Sequence, residues 1–359
     1  MANSNATITQ PAVLAQLRAG TVIPAHPLAL TAARQLDERH QRALSRYYIA
    51  SGAGGLAVGV HTTQFAIHYP EVGLLRPVLA LAAEEMNRAD ADRDVPLIRI
   101  AGICGHTHQS ICEADEAREL GYTLGLISLA ALRGQSIGDL IDHCRVVAST
   151  IDLFGFYLQP AVGGVELPYK FWRCFCEIEN VRAIKIAAFD RYRTLSVIRA
   201  VADSGRNDIA LYTGNDDNII ADLLTPYSFN AATSARPHRF IGGLLGQWAV
   251  WTSKAVATHR ECRSLANSGA PIPSDTLRLA AQLTDANAAI FDAANNFHGC
   301  IPGIHEVLHR QGLLANTNCL DDHESLSPGQ SEEITRVTTA YPNLTDNDFV
   351  KQNIDNWLC

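Results

Sequence analysis

Eight short apolar segments, separated by stretches with helical signals, restrict the fold of this chain more than any other feature. Each segment is about the length of a strand that is buried on both faces of a sheet. They cover 21–24, 55–60, 97–102, 123–128, 154–159, 183–188, 209–214 and 239–243. Amphipathic helical patterns lie between them, for example over 37–47, 110–120 and 136–148. Eight strand–helix units in about 240 residues predict a (β/α)8 TIM barrel, an α/β fold.

A doubly wound parallel sheet is the alternative that the same alternation allows. Its dinucleotide-binding form has a Gly-x-Gly-x-x-Gly turn after the first strand. Here the first apolar segment continues into Ala25-His-Pro-Leu28, which has no glycine. The sequence therefore favours the barrel.

Changes in composition and in helical periodicity along the sequence predict three regions. We expect an N-terminal arm over 1–18, the barrel over 19–264, and C-terminal helices and tail packed on the barrel over 265–359. Within the last region, one long helical pattern covers 274–298 and another covers 301–312. From 315 onward Pro, Asn, Asp and Ser are frequent, which predicts a partly ordered tail.

Composition excludes several classes of protein. The net charge of -8 argues against a nucleic-acid partner. No uncharged apolar run reaches the roughly 18 residues that a membrane helix needs, and the first residues lack the pattern of a secretory signal. Nine cysteines without a framework spacing favour free thiols over disulfides. We therefore expect a cytoplasmic enzyme without a membrane partner.

Lys185 is the candidate nucleophile. It is one of only four lysines and lies within a predicted strand, between Ala183 and Ala187 on the same face. Strand alternation would turn these three side chains into the barrel. Burial lowers the pKa of a lysine, and the neutral amine can form a Schiff base with a ketone. Alternatively, Lys185 lies at a strand end and extends to solvent, or it pairs with Asp190 or Asp216.

Three further strands contain or precede polar groups suited to the same chemistry. Alternation along 154–159 is interpreted as turning Tyr157 inward, where its phenol would shuttle protons; otherwise it is a core tyrosine. After the second strand, Thr62 and Thr63 offer hydroxyl and backbone N–H groups that suit a small carboxylate; otherwise they form an ordinary turn. Asp216 and Asp217, after the seventh strand, would orient substrate hydroxyls or cap the next helix.

Taken in chain order, the threonine pair, the strand-five tyrosine and the strand-six lysine resemble the dihydrodipicolinate synthase / N-acetylneuraminate lyase superfamily of class I pyruvate-dependent aldolases. The matching segments are His61-Thr-Thr-Gln-Phe65, Tyr157 in Phe-Tyr-Leu-Gln-Pro160, and Lys185 in Ile-Lys-Ile-Ala. The resemblance implies that Lys185 forms the imine, that Tyr157 is the proton shuttle and that Thr62 and Thr63 hold a carboxylate. It also implies substrate binding by Gly214, Asn215 and Asp216, a homodimer or homotetramer, and neither a metal nor an organic cofactor.

Departures from the family pattern bear on the substrate. The family has a tyrosine-bearing stretch after strand four, where this chain has Leu129-Ala-Ala-Leu132. The family also has an arginine shortly after strand five, at a position that corresponds here to about Val162. With Phe65, Leu129, Ala131 and Val162 we expect an apolar mouth. The resulting hypothesis is a lyase or aldolase acting on a 2-oxoacid and an aldehyde, and not a true dihydrodipicolinate synthase.

Three alternatives stay open. The same imine could serve a hydratase or dehydratase, or the barrel could bind a small molecule without catalysis. His106-Thr-His108, after the third strand, could ligate a metal in a hydrolase barrel, although polar loop histidines are the simpler interpretation.

Overall fold

Eight parallel strands form a nearly closed barrel in the computed structural model, which describes residues 9–229 and 237–359. Hydrogen-bonded neighbours follow the order β1-β8-β7-β6-β5-β4-β3-β2. A parallel bridge between Ala25 and Ala57 links the ends of β1 and β2. The predicted (β/α)8 fold is confirmed, with β1 at Val22–Pro24, β2 at Gly55–Val58, β3 at Ile98–Ile103, β4 at Leu124–Ile127, β5 at Asp152–Leu158, β6 at Val181–Ala187, β7 at Ala210–Thr213 and β8 at Phe240–Leu245.

Helices follow each strand, and others extend the chain at both ends. They are α1 Pro11–Ala19, α2 Glu38–Ala50, α3 Leu75–Asp90, α4 Thr107–Glu119, α5 Ile137–Ala148, α6 Tyr169–Phe175, α7 Arg191–Ser204, α8 Ile219–Leu224, α9 Thr252–Ser268, α10 Ser274–Ile290, α11 Cys300–Arg310, α12 Gln330–Ala340 and α13 Asn347–Trp357. Among the described residues, no helix is long and apolar enough to cross a membrane.

Side-chain caps explain where several barrel helices begin. Asp37 and Asp190 each accept a hydrogen bond from the backbone N–H three residues later, at α2 and α7. Ser136 forms a capping box with Asp139 at α5. Such caps satisfy N–H groups that have no acceptor within the helix, and each stabilises the helix by about 1 kcal/mol.

The barrel separates two apolar cores. Along β6, Ile184 and Ile186 pack outward in the core beneath the helices. Ala183 and Ala187 pack inward, in a core that Leu17 of α1 also joins at the N-terminal end of the barrel. Strand alternation therefore also directs Lys185 into the barrel, as predicted.

The C-terminal region differs from its prediction in two respects. The helical pattern over 274–298 ends at Ile290, and Asp292 then adopts a positive φ of 56°. The predicted partly ordered tail contains α12 and α13. It is fastened to α2 by a hydrogen bond of 2.8 Å from the Tyr47 hydroxyl to Asp346. Of the predicted N-terminal arm, residues 1–8 lie outside the described residues.

Candidate active site

A small pocket of about 50 Å³ lies where the carboxyl ends of the strands meet, the usual position of active sites in this fold. Residues of the strand ends and of the C-terminal extension share its lining. The titratable side chains that line it are His61, Lys185, Asp216 and Cys300; aromatic and aliphatic side chains make up much of the remainder.

The Lys185 amine lies within this pocket and is almost completely buried, with 6 % of the residue exposed. Its Nζ is 4.6 Å from the centre of the Phe156 ring. Burial lowers the pKa of Lys185 to about 8, although the charge of Asp216 acts in the opposite direction. A substantial fraction of the amine is therefore neutral near physiological pH, which is the form that attacks a ketone.

Gly214 makes room for this side chain. A Cβ at Gly214 would lie 2.6 Å from Lys185 Cε and 2.8 Å from Ala187 Cβ. Glycine at the end of β7 and alanine in β6 therefore together leave the channel that the lysine occupies.

Asp216 is the acidic group of the pocket. Its Oδ1 accepts a hydrogen bond of 2.9 Å from the Gln247 backbone N–H, and its carbonyl accepts one of 2.7 Å from Asn287 Nδ2. Burial raises the pKa of Asp216 to about 7, against the lowering effects of the Gln247 hydrogen bond and of the Lys185 charge. A carboxyl with such a pKa can both donate and accept a proton at neutral pH.

The turn after β2 places His61 and Thr62 at the pocket, but not the hydroxyl of Thr63. Thr63 Oγ1 donates to the His26 carbonyl at 2.6 Å and accepts from the N–H groups of Gly59 and Val60. The Thr63 hydroxyl therefore stabilises the turn, whereas Thr62 lines the pocket. Burial, and secondarily the Lys185 charge, lowers the pKa of His61 to about 4, so its imidazole is neutral at pH 7.

The predicted inward orientation of Tyr157 is wrong. Tyr157 belongs to the outer core, with its ring 5.7 Å from that of Trp172 in α6. Phe154, Phe156 and Leu158 face the interior instead. Both faces of β5 are buried and apolar, so hydrophobic periodicity does not distinguish them.

Asn215 also lies apart from the pocket lining. Its Oδ1 accepts a hydrogen bond of 3.0 Å from the Phe189 N–H, and its Nδ2 donates to Asp222 at 2.9 Å. With both ends of the amide engaged, Asn215 holds the loop after β6 against β7. These hydrogen bonds give the Asn215 side chain a structural role, and its role in binding substrate stays a prediction.

The predicted apolar mouth is present, but only partly from the expected residues. Val162 lines the pocket, whereas Leu129 packs in the outer core and Ala131 is exposed. Phe65 packs beside the inner core and near the His61 ring. His106 and His108, considered above as metal ligands, are exposed around the start of α4.

The C-terminal extension supplies lining residues that the sequence did not indicate. Phe291, Phe297 and Cys300 line the pocket, and the Phe297 ring lies 5.6 Å from that of Phe189, which follows β6. Burial raises the pKa of the Cys300 thiol, so that it stays protonated. Nothing in the local pattern of 291–300 marks these residues, because they meet the barrel only through the tertiary fold.

Together, these features define a (β/α)8 barrel protein with a buried amine and a carboxyl in one apolar pocket. No protein-family model matches the chain. A 4-hydroxy-tetrahydrodipicolinate synthase of Bifidobacterium longum is 24% identical over 200 residues, which is 55% of this chain and 60% of that protein. An N-acetylneuraminate lyase of Salmonella paratyphi A is 26% identical over 193 residues, which is 53% of this chain and 61% of the lyase.

Solved structures show the same fold over almost the entire chain. A monomeric dihydrodipicolinate synthase variant superposes with a TM-score of 0.72 at 16% identity, covering 91% of this chain and 98% of that one. An N-acetylneuraminate lyase from Fusobacterium nucleatum gives 0.69 at 16% identity, with 91% and 99% covered. The alignments with the two curated proteins span about three fifths of their length. The chain fits a divergent member of the dihydrodipicolinate synthase / N-acetylneuraminate lyase superfamily, as the resemblance predicted.

Proposed function

We propose that this protein is a lyase or aldolase that binds a 2-oxoacid as an imine on Lys185. The observation that carries the proposal is the enclosed amine, whose pKa is lowered by burial while an acidic side chain lines the same pocket. The relatives named above include a lyase and a synthase, and the fold agrees with theirs.

Asp216 takes the acid–base role in this proposal. The neutral Lys185 amine attacks the keto carbon, and the carbinolamine hydroxyl leaves as water after receiving a proton from the Asp216 carboxyl. The resulting iminium ion withdraws electrons from the adjacent carbon, so that a carbon–carbon bond there can be made or broken. The Asp216 carboxylate then accepts the proton that hydrolysis of the imine returns.

Thr62 and His61 position the substrate. The Thr62 hydroxyl lines the pocket and is suited to donate to the carboxylate of the oxoacid, since its contact with the His26 carbonyl is long at 3.4 Å. His61, neutral at pH 7, would donate a ring N–H to the aldehyde oxygen. Thr63 supports both by holding the turn.

The lining favours an apolar aldehyde as the second substrate or product. Phe156, Leu158, Val162, Phe189 and Phe297 face the pocket, and Lys185 is its cationic side chain among the described residues. A second carboxylate would therefore be desolvated without an arginine partner, at a cost of several kcal/mol. This disfavours a true dihydrodipicolinate synthase activity.

Borohydride trapping tests the proposal directly. Incubation with pyruvate and sodium borohydride should add the mass of the reduced adduct to one peptide, the one that contains Lys185. Lys185→Met should abolish the adduct and retain the folded state, whereas Lys170→Ala, at an exposed lysine, should trap normally. A folded protein that forms no adduct with any 2-oxoacid would indicate a binding protein without catalysis. Product analysis separates an aldolase, which changes a carbon–carbon bond, from a hydratase or dehydratase.

A further inference from the structure

A second cluster of reactive side chains lies outside the pocket, between the turn after β2 and helix α4. One ring nitrogen of His68, Sγ of Cys104 and a carboxylate oxygen of Glu113 all lie within 4.8 Å of one another. His68 and Glu113 are buried, each with 6 % exposed, and Cys104 is partly exposed. The reaction proposed at Lys185 uses none of the three.

The nitrogen of His68 that faces this cluster is Nδ1. Nε2 lies 2.7 Å from the Gly59 carbonyl, which can only accept, so Nε2 carries the hydrogen. Nδ1 lies 3.0 Å from Glu113 Oε2 and forms an ion pair with that carboxylate when the ring is protonated. Loss of the Nδ1 proton gives the lone pair that a metal ion would take. Apart from this contact with Glu113, the buried Nδ1 has no hydrogen-bond partner among the described residues.

The arrangement differs from that of a nucleophilic triad. In a triad one ring nitrogen faces the nucleophile and the other faces the orienting carboxylate. Here a single nitrogen faces the carboxylate, and the other is held by a backbone carbonyl. An imidazole nitrogen, a thiol and a carboxylate instead converge on one point, as the ligands of a metal ion do.

Outer hydrogen bonds hold each of the three groups in place. Gln109 Nε2 donates to Glu113 Oε1 at 2.7 Å, and the Cys104 N–H donates to Oε2 at 2.7 Å. Ser110 Oγ donates to the Cys104 carbonyl at 2.8 Å. A backbone carbonyl on the far nitrogen of a histidine is a common outer partner in metal sites, where it fixes the tautomer.

We propose that His68, Cys104 and Glu113 bind one Zn²⁺ ion, with solvent in the fourth position on the side where Cys104 is exposed. A mixed nitrogen, sulfur and oxygen set suits Zn²⁺, whereas a thiolate disfavours Mg²⁺ and Ca²⁺. Tetrahedral ligands at Zn–N and Zn–S bonds of about 2.1 and 2.3 Å lie roughly 3.3–3.6 Å apart, so small side-chain movements complete the site. Binding replaces the Cys104 thiol proton and the Nδ1 proton that pairs His68 with Glu113, and both are released to solvent.

The ion would fasten the segment that carries two pocket residues. His61 and Thr62 lie between Gly59 and His68, and the Zn²⁺ ion would tie His68 to β3 and α4. Its role is structural, and it is independent of whether Lys185 forms an imine.

Calorimetric titration of the chelator-treated full chain with Zn²⁺ tests the site. We expect one ion per chain, and Co²⁺ in its place should give a thiolate charge-transfer absorption. Cys104→Ser should weaken Zn²⁺ binding by more than the roughly 10–100-fold that loss of an outer partner costs. Cys112→Ser is the matched control, because Cys112 is an exposed thiol one residue before Glu113, and it should bind as the unaltered chain does.

A measurement on the unaltered chain covers the case in which Cys104→Ser does not fold. Zn²⁺ should protect Cys104 from alkylation, as mapped by peptide mass, while Cys112 reacts at the same rate with and without the ion. Absence of binding, equal binding by folded Cys104→Ser, or alkylation of Cys104 unaffected by Zn²⁺ would each overturn the proposal. So would loss of the bound ion in His323→Ala, since that would place it at the exposed Asp321–His323 group.

Discussion

The narrowest point beside the proposed nucleophile is Gly214, and Gly214→Ala tests whether the geometry of the lysine channel controls imine formation. The added Cβ would lie 2.6 Å from Lys185 Cε, 2.8 Å from Ala187 Cβ and 3.0 Å from Lys185 Cγ. Ordinary carbon–carbon contacts are about 3.5–4.0 Å, so the lysine must move by about 1 Å. The φ of Gly214 is not positive, so that backbone strain adds nothing to this effect.

Two consequences differ in size. Overpacking of this kind typically costs about 1–3 kcal/mol of unfolding free energy, which a large barrel tolerates. A displacement of about 1 Å at a reacting group can slow a reaction about 100-fold. We therefore expect the Gly214→Ala protein to remain folded and to form the imine on the order of 100 times more slowly.

The rate of borohydride-trapped adduct with pyruvate, followed by intact mass, measures this effect without knowledge of the natural aldehyde. Gly138→Ala is the control, since a Cβ there meets only Ser136 Oγ at 3.5 Å. It should trap at the rate of the unaltered chain. If folded Gly214→Ala forms the borohydride-trapped adduct at the rate of the unaltered chain, then the Lys185 amine does not react from the channel between β6 and β7.

Two further substitutions test the acid–base assignment. Because reaction needs neutral Lys185 and protonated Asp216, the trapping rate should form a bell with its maximum between about pH 7 and 8, the values to which burial shifts the two groups. Asp216→Asn should remove the alkaline limb of the profile and shift the acid limb to lower pH, because the charge of Asp216 raises the pKa of Lys185. As a control, Asp217→Asn, at an exposed residue, should retain the bell-shaped profile. An unchanged profile in Asp216→Asn would contradict the acid–base role of Asp216. Tyr157→Phe should trap at nearly the natural rate, with a change in unfolding free energy of about 1 kcal/mol or less, and a large loss of trapping would show that the phenol reaches the amine.

The strands could be predicted because a barrel strand is a continuous apolar run of limited length. The inward orientation of Lys185 could be predicted as well. The small side chains two residues before and two residues after it, Ala183 and Ala187, lie on the same strand face and leave room for a long side chain. In β5, which side chains face the barrel interior depends on packing against helix α6, which lies outside the strand. The outward face at Gly155 receives the Phe175 ring, 2.7 Å from where a Cβ would stand, and this contact with α6 is not encoded within the strand.

The C-terminal lining of the pocket could not be predicted for a related reason. Phe297 and Cys300 lie more than a hundred residues from Lys185 along the chain, and their segment has no periodicity that distinguishes a pocket wall from a helix surface. Their placement follows from how α10 and α11 pack against the barrel. Asn287 of α10 reaches the Asp216 carbonyl at 2.7 Å, so the same helices also fix the proposed acid.

The orientation of β5 changes where proton transfer can take place. The family resemblance implied a phenol on β5, but the β5 side chain beside the amine is the Phe156 ring, which can exclude water and cannot exchange a proton. The titratable groups that share the pocket with Lys185 are therefore Asp216, His61 and Cys300. Burial keeps the thiol protonated and the imidazole neutral, whereas it brings the carboxyl to within about one pKa unit of the amine. Of the three, only Asp216 can give up a proton and regain it in each turnover near neutral pH. An imine formed on this barrel would thus depend on a carboxyl at the end of β7.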